Sequence, residues 1–194
     1  TTGYGQLPLS DTALTVAMLL KKAGYATALV GKWGLGDINS EGSPEKKGWD
    51  YFSGYLHHVE GHFQYPAVGW KYTPGMKQPE RANIGRFEGY ACDYFTNEAL
   101  TFIRNREKSM PFFMILSLTI PHAELQVPKE SLKPYVDENG TSIFEEKPFI
   151  GSHYGGQNMP KATYAAMSEC YLRYHGGKFA LLWQVLQNFG QTWF

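Results

Sequence analysis

An α/β fold built on a mostly parallel sheet is what this sequence predicts, and three observations carry the prediction. Two helix-then-strand units follow one another along the chain. The second strand candidate is an unbroken apolar run, which suits a strand covered on both faces. Each strand candidate also leaves directly into a turn marked by Gly or Pro.

Taken in order, residues Asp11 to Ala23 read as a helix that Ser10 or Asp11 can cap. Ala13, Val16, Ala17, Leu20 and Ala23 fall on one face, and Gly24 ends it. A short strand follows from Ala26 to Val30. From Gly31 to Gly54 the chain is rich in Gly, Ser and Pro and reads as loop with short turns. His57 to Arg86 reads as irregular, because Pro66, Pro74 and Pro79 discourage long elements. A second helix runs from Asp93 to about Arg106 on a stripe of Phe95, Ala99, Phe102 and Ile103. Arg104, Arg106 and Lys108 sit near the negative end of its dipole. Pro111 breaks the chain, and Phe112 to Thr119 is the second strand. Pro121 to Pro160 is again loop-rich. Helix resumes from Lys161 through Tyr164, Ala165 and Met167, until Gly176-Gly177 interrupts it.

Composition sets the outer limits. At 194 residues the chain is long enough for one domain with a real core. Eighteen basic and eighteen acidic residues cancel, so no global field points to nucleic acid or to an anionic membrane, and any anion binding must be local. No apolar run approaches the roughly 20 residues of a membrane span. Thr1 reads as a cut or processed start, which leaves the compartment open. Cys92 and Cys170 stand apart from any C-x-x-C pair and read as two small, partly buried side chains.

In an open parallel sheet, ligands bind beyond the carboxyl ends of the strands. The first strand leaves into Gly31-Lys32-Trp33-Gly34-Leu35-Gly36, and the second into Pro121-His122-Ala123. If the strands are neighbours, Lys32 and His122 converge on one pocket. A lysine on a glycine-rich turn and a histidine beside a proline suit an oxyanion: sulfate, phosphate or carboxylate. The competing reading is a solvated lysine and a structural histidine.

A family resemblance bears on that choice. Ala23 to Gly36, with Gly31-Lys32-Trp33-Gly34-Leu35-Gly36 at its end, resembles the sulfatase signature written G-K-W-H-L-G. Gly48-Trp49-Asp50-Tyr51-Phe52-Ser53-Gly54-Tyr55 is similar to the G-F-D-Y-F-x-G-Y element that follows it. Tyr94 to Leu100 and Pro111-Phe112-Phe113 resemble the helix and strand leading to a P-H-x-P-like turn, here Pro121-His122-Ala123-Glu124. Four elements in the right order over roughly residues 10 to 167 make the match specific.

The resemblance implies a partial alkaline-phosphatase-like α/β/α sandwich and an arylsulfatase-like sulfuric ester hydrolase acting on a sulfate ester or sulfated carbohydrate. It implies that Lys32 neutralises sulfate oxygens during transfer and that His122 binds sulfate or assists departure of the alcohol. It also implies a calcium ion and a formylglycine made from Cys or Ser in C/S-x-P-x-R. That motif occurs nowhere in these residues, and in the family both it and a calcium-binding Asp pair precede the G-K-W element. The chain alone is therefore expected to be incomplete and inactive. A periplasmic or secreted location is suggested by the family only.

By this reading residues 1–167 form a partial catalytic domain. Residues 168–194 form an aberrant helical tail, out of family register and without Asp, such as a frameshift or truncated frame would produce. The tail's apolar residues, among them Leu182, Trp183 and Phe189, suggest a homo-oligomer. Gly34 replaces the motif's usual His and so removes one expected sulfate donor. Trp33 reads as packing. His57, His58 and His62 invite a metal reading, but Gly61 and the loop-like neighbourhood favour a surface or substrate-cleft loop. Glu145-Glu146 reads as a solvated pair, and Asn139-Gly140-Thr141 is a glycosylation sequon by pattern. Two rivals stay open: a non-catalytic binder of sulfated glycans or other oxyanions, and a phosphatase or phosphodiesterase of the same superfamily.

Overall fold

The computed structural model describes residues 5–83 and 89–173, and the chain divides into two compact units, Thr1–Thr119 and Ile120–Phe194. In the first unit, helix α1 (Val16–Lys22) leads into β1 (Ala26–Lys32), β2 (Tyr51–Tyr55), β3 (Val68–Tyr72), β4 (Glu80–Asn83), helix α2 (Ala91–Asn105) and β5 (Phe112–Ser117). The sheet order is β4-β3-β2-β1-β5. β1 pairs in parallel with both β2 and β5, and β3 and β4 extend the sheet as antiparallel strands. The α/β architecture with a parallel core is the predicted one.

Side-chain alternation separates the two faces of this sheet. Leu29 and Phe52 join Ala17 of α1, Trp49 and Leu56 in one buried cluster, with Phe113 and Trp70 packed against it. On the other face Tyr55 meets Phe95 edge-on at 5.1 Å, Tyr51 meets Phe102 at 5.5 Å, and the Ser53 and Tyr94 hydroxyls lie 3.2 Å apart. These contacts seat α2, whose Phe95, Ala99, Phe102 and Ile103 are buried as its stripe requires.

Several expectations change. The first helix starts at Val16 rather than Asp11, because the buried Lys47 ammonium binds the carbonyls of Ser10 and Asp11 at 2.6 and 3.3 Å. Thr15 caps instead, its hydroxyl accepting from Met18 N–H at 3.1 Å. Val16 and Ala23, placed on the buried face, are exposed. The stretches read as loop contain β2, β3 and β4, strands whose Gly and neighbouring Pro residues hid them. β5 was expected to be covered on both faces, yet it is half-buried throughout, with Ile115 exposed. Among the described residues it bonds to β1 on one side alone.

In the second unit, helix α3 (Lys129–Leu132) packs with helix α4 (Pro160–Arg173). Ala162, Thr163, Ala166, Met167 and Cys170 form the buried face of α4, which runs unbroken across the Met167–Ser168 boundary. Glu146 is more than a solvated surface charge: its carboxylate accepts from the backbone N–H of Lys161 and Ala162 at 2.9 and 2.8 Å and from the Ser142 hydroxyl at 2.8 Å. It thereby caps the start of α4. Cys92 and Cys170 are fully buried and form no disulfide. No helix among the described residues is long and apolar enough to cross a membrane. Gly176-Gly177 and the rest of the tail from residue 174 lie outside the described residues.

Candidate functional site

The exits of β1 and β2 stay joined beyond the last sheet pair. Trp33 N–H donates to the Tyr55 carbonyl at 2.9 Å and Gly34 N–H to the Leu56 carbonyl at 3.0 Å. This places the turn after β2 beside Lys32, the last residue of β1. The aliphatic stem of Lys32 lies against Gly61, where a Cβ would stand 2.8 Å from Cδ and 3.2 Å from Cε. A Cβ on Gly34 would stand 4.0 Å from Lys32 Cε and 3.6 Å from His58 Cβ. Glycine at 61 is thus needed for the lysine stem, and glycine at 34 (φ +73°) leaves an open spot flanked by Lys32 and His58.

Lys32 is half-buried, and among the described residues its ammonium makes no ion pair or hydrogen bond. Burial holds its pKa below the ordinary lysine value. A partly desolvated cation without a counter-charge is the electrostatic description of an anion site.

His58 stands beside it, and a buried amide fixes its ring. Gln6 Nε2 donates to Asp37 Oδ1 at 3.1 Å and to the Leu56 carbonyl at 3.2 Å, so Oε1 faces the histidine. That oxygen accepts from His58 N–H at 2.8 Å and lies 3.3 Å from His58 Nδ1. Because an amide oxygen only accepts, Nδ1 carries the proton in this contact and Nε2 carries the lone pair. Burial, the His57 ring and the Lys32 charge hold the His58 pKa below its ordinary value, with Asp37 opposing.

The rest of the turn is structural. His57 stacks on His58 at 4.5 Å. Glu60 accepts from His57 N–H and from Trp70 Nε1, both at 3.2 Å. Trp33 packs edge-on against Trp49 at 6.4 Å and donates to the Gly42 carbonyl at 2.8 Å, a packing role. Beyond the turn, Phe63 and Tyr65 are about half exposed, while the neighbouring Gln64 side chain is fully buried. Gln64 Oε1 accepts from Thr119 at 3.3 Å, and its Nε2 has no hydrogen-bond partner among the described residues.

A cavity of about 610 Å³ opens near Ala26, at the opposite end of β1. Its charged lining is already engaged: Lys71 pairs with Glu98 at 2.8 Å, Asp50 with Lys21 at 2.6 Å, and Arg106 donates to the Ile103 carbonyl at 2.6 Å. Among the described residues it offers no comparable unpaired cation.

His122 belongs to the second unit. It is exposed, its Nδ1 donates to the Ala123 carbonyl at 2.6 Å, and its ring meets Tyr154 edge-on at 5.8 Å. Glu124 beside it accepts from Gly155 N–H at 3.0 Å and from Gln126 at 3.3 Å.

Sequence reasoning found Lys32 through its glycine-rich exit and missed His58 as its neighbour. The histidine pair following a Tyr-rich strand was the available signal. Gln6 gave none, standing 52 residues from the ring it holds. The calcium and formylglycine implied by the resemblance do not fit the residues described. No group of three or more His, Cys, Asp or Glu among them is arranged for a metal ion, and neither Cys92 nor Cys170 lies in a C-x-P-x-R sequence.

Known proteins resemble this chain over much of its length. It is 33% identical to an uncharacterized sulfatase of Schizosaccharomyces pombe over 66% of its length and 24% of the relative's. It is 28% identical to an arylsulfatase of Klebsiella aerogenes over 69% of the chain and 29% of that protein. It is 32% identical to an N-acetylglucosamine-6-O-sulfatase of Bacteroides thetaiotaomicron over 56% of the chain and 16% of that protein. The chain thus spans less than a third of each of these relatives. Among solved structures, BT4656 in complex with its substrate D-glucosamine-2-N,6-O-disulfate superposes with a TM-score of 0.52 at 28% identity, over 72% of this chain and 24% of that one. Ps i-CgsB in complex with a neocarrahexaose shares the fold, with a TM-score of 0.64 at 24% identity over 96% and 39% of the two chains. The fold is the alkaline-phosphatase-like α/β sandwich, in part. The sulfatase family model matches residues 2–183, and the chain belongs to the sulfatase family of sulfuric ester hydrolases.

Proposed function

We propose that these residues carry an oxyanion-binding part of a sulfatase acting on sulfated carbohydrate, with Lys32 as the cation that neutralises sulfate oxygens. The single observation behind this reading is the Lys32 ammonium: half-buried, unpaired among the described residues, and cradled by Gly61 and Gly34 at the carboxyl end of the sheet. A cation held there stabilises charge that shifts onto sulfate oxygens as the ester bond breaks. His122, on the Pro121-His122-Ala123 turn, is assigned by motif to bind the sulfate or to protonate the departing alcohol. Its Nδ1 contact to the Ala123 carbonyl fits a ring held for one task. A carbohydrate substrate is favoured by the names of relatives, which act on sulfated amino sugars, and by exposed Phe63 and Tyr65, aromatic rings suited to stacking on sugars.

The family's chemistry uses a metal and a formylglycine, so the isolated 194-residue chain should bind sulfate without turning it over. A self-associating tail lies outside the described residues beyond 173 and draws no support from the relatives. The test is turnover of a chromogenic aryl sulfate by the purified chain with calcium, beside the Lys32→Ala variant. The expected result is no turnover by either protein. Turnover that disappears in the variant would mean that these residues contain a nucleophile, overturning the incomplete-site reading.

A further inference from the structure

The open spot above Gly34 is flanked on one side by Lys32 Cε and on the other by His58 Cβ. Sulfate is fully ionised at any pH the protein tolerates, so it needs donors around it, and a single ammonium leaves most of its oxygens uncompensated. The motif's usual histidine at position 34 would have been one such donor, and glycine stands there instead. Resting on the sulfate-site reading above, we infer that His58 supplies this second donor, taking a proton on Nε2 when an oxyanion binds beside Lys32.

The geometry prepares the ring for that task. Gln6 is buried and orients its amide by two outgoing hydrogen bonds, to Asp37 and to the Leu56 carbonyl. Its Oε1 is therefore committed to the histidine backbone N–H and to Nδ1. The Nδ1 proton stays in place whether or not the ring is charged, and the proton that comes and goes, from solvent, is the one on Nε2. Burial disfavours its charge most, then His57 from the same turn and Lys32 from β1; Asp37 from the turn after β1 favours it, and Gln6 is neutral. An anion at Lys32 offsets the lysine's share of that repulsion and adds a negative partner of its own. Anion binding and proton uptake are then linked, each strengthening the other by the same factor. Sulfate affinity should rise as pH falls through the range in which Nε2 becomes protonated.

The experiment follows the His58 ring nitrogens by NMR in the 15N-histidine-labelled chain, titrated between pH 5 and pH 8 with and without sodium sulfate. The expected result is a His58 midpoint raised by about one pH unit in sulfate, which corresponds to about tenfold tighter sulfate binding to the protonated ring. His62 should not follow it. The His58→Asn variant should lose severalfold in sulfate affinity at pH 5 and much less at pH 8. If sulfate binds in a Lys32-dependent way while the His58 midpoint stays fixed, the inference fails and the sulfate site stands. If sulfate binds nowhere near Lys32, both fail. The wild-type titration decides the matter even if the variant does not fold.

Discussion

β1 and β5 are neighbours in one sheet, parallel and in register from Ala26↔Phe112 to Gly31↔Ser117, and both are strongly apolar. They nevertheless live in different surroundings. β1 is buried at five consecutive positions, paired on both sides, and its exit is packed against the turn after β2. β5 is half-buried along its length and, among the described residues, paired on one side. Apolar sequence alone therefore does not decide burial: β1 lies inside the sheet with a helix packed against it, and β5 lies at the edge of the described sheet. Pairing with β2 also gives the β1 exit the neighbours a site needs, since Trp33 and Gly34 bond to the end of β2 and Lys32 gains Gly61 and His58 from the turn that follows.

The most severe way to break the comparison is at Gly54. A Cβ there would fall on the Gly31 carbonyl oxygen, its heavy atoms far inside contact distance, so the neighbouring strand must move. Gly54→Val should cost about 3 kcal/mol or more, read as a large drop in the urea midpoint. The next largest contrast is between paired positions. Leu29→Ala in the buried cluster should cost about 3 kcal/mol, whereas Ile115→Ala on the exposed strand should cost under about 1 kcal/mol. Equal losses at the two positions would mean that β5 is as well covered as β1.

A smaller effect sharpens the functional half. Gly61→Ala drives a methyl into the Lys32 stem and should weaken sulfate binding by about tenfold, or about 1.4 kcal/mol, with little change in stability. The smallest is a gain. Because burial lowers the Lys32 pKa, the unfolded chain binds the proton more readily, and stability rises with pH between the folded value and 10.5. Lys32→Met removes that cost and should stabilise the chain by about 0.5 kcal/mol near pH 7 while abolishing the oxyanion site. A calorimetric melt would detect the shift.

How much of this was legible beforehand follows the same division. α2 and β1 could be read because a helical stripe and a compact apolar strand are local patterns, and Lys32 because its glycine-rich exit marks a strand end. β2 was hidden because Ser53 and Gly54 interrupt its aromatic residues. The Gly54–Gly31 approach that requires glycine is visible only once the strands pair. The half-exposure of β5 depends on what lies beside it, which no window along the chain contains. Glu146 looked solvated because the helix end it caps begins fourteen residues later. His58 was set aside as part of a loop, since the amide that orients it comes from Gln6 and the cation beside it from Lys32. Sites assembled from three separated segments leave only their individual residues in the sequence.

The most direct measurement is calorimetric titration of the 194-residue chain with sodium sulfate, alongside the Lys32→Ala variant, both verified as folded by circular dichroism. The account predicts saturable binding in the parent chain that vanishes in the variant. Equal binding by the two proteins, or none by a folded parent chain, would contradict the assignment of an oxyanion site to the exit of β1.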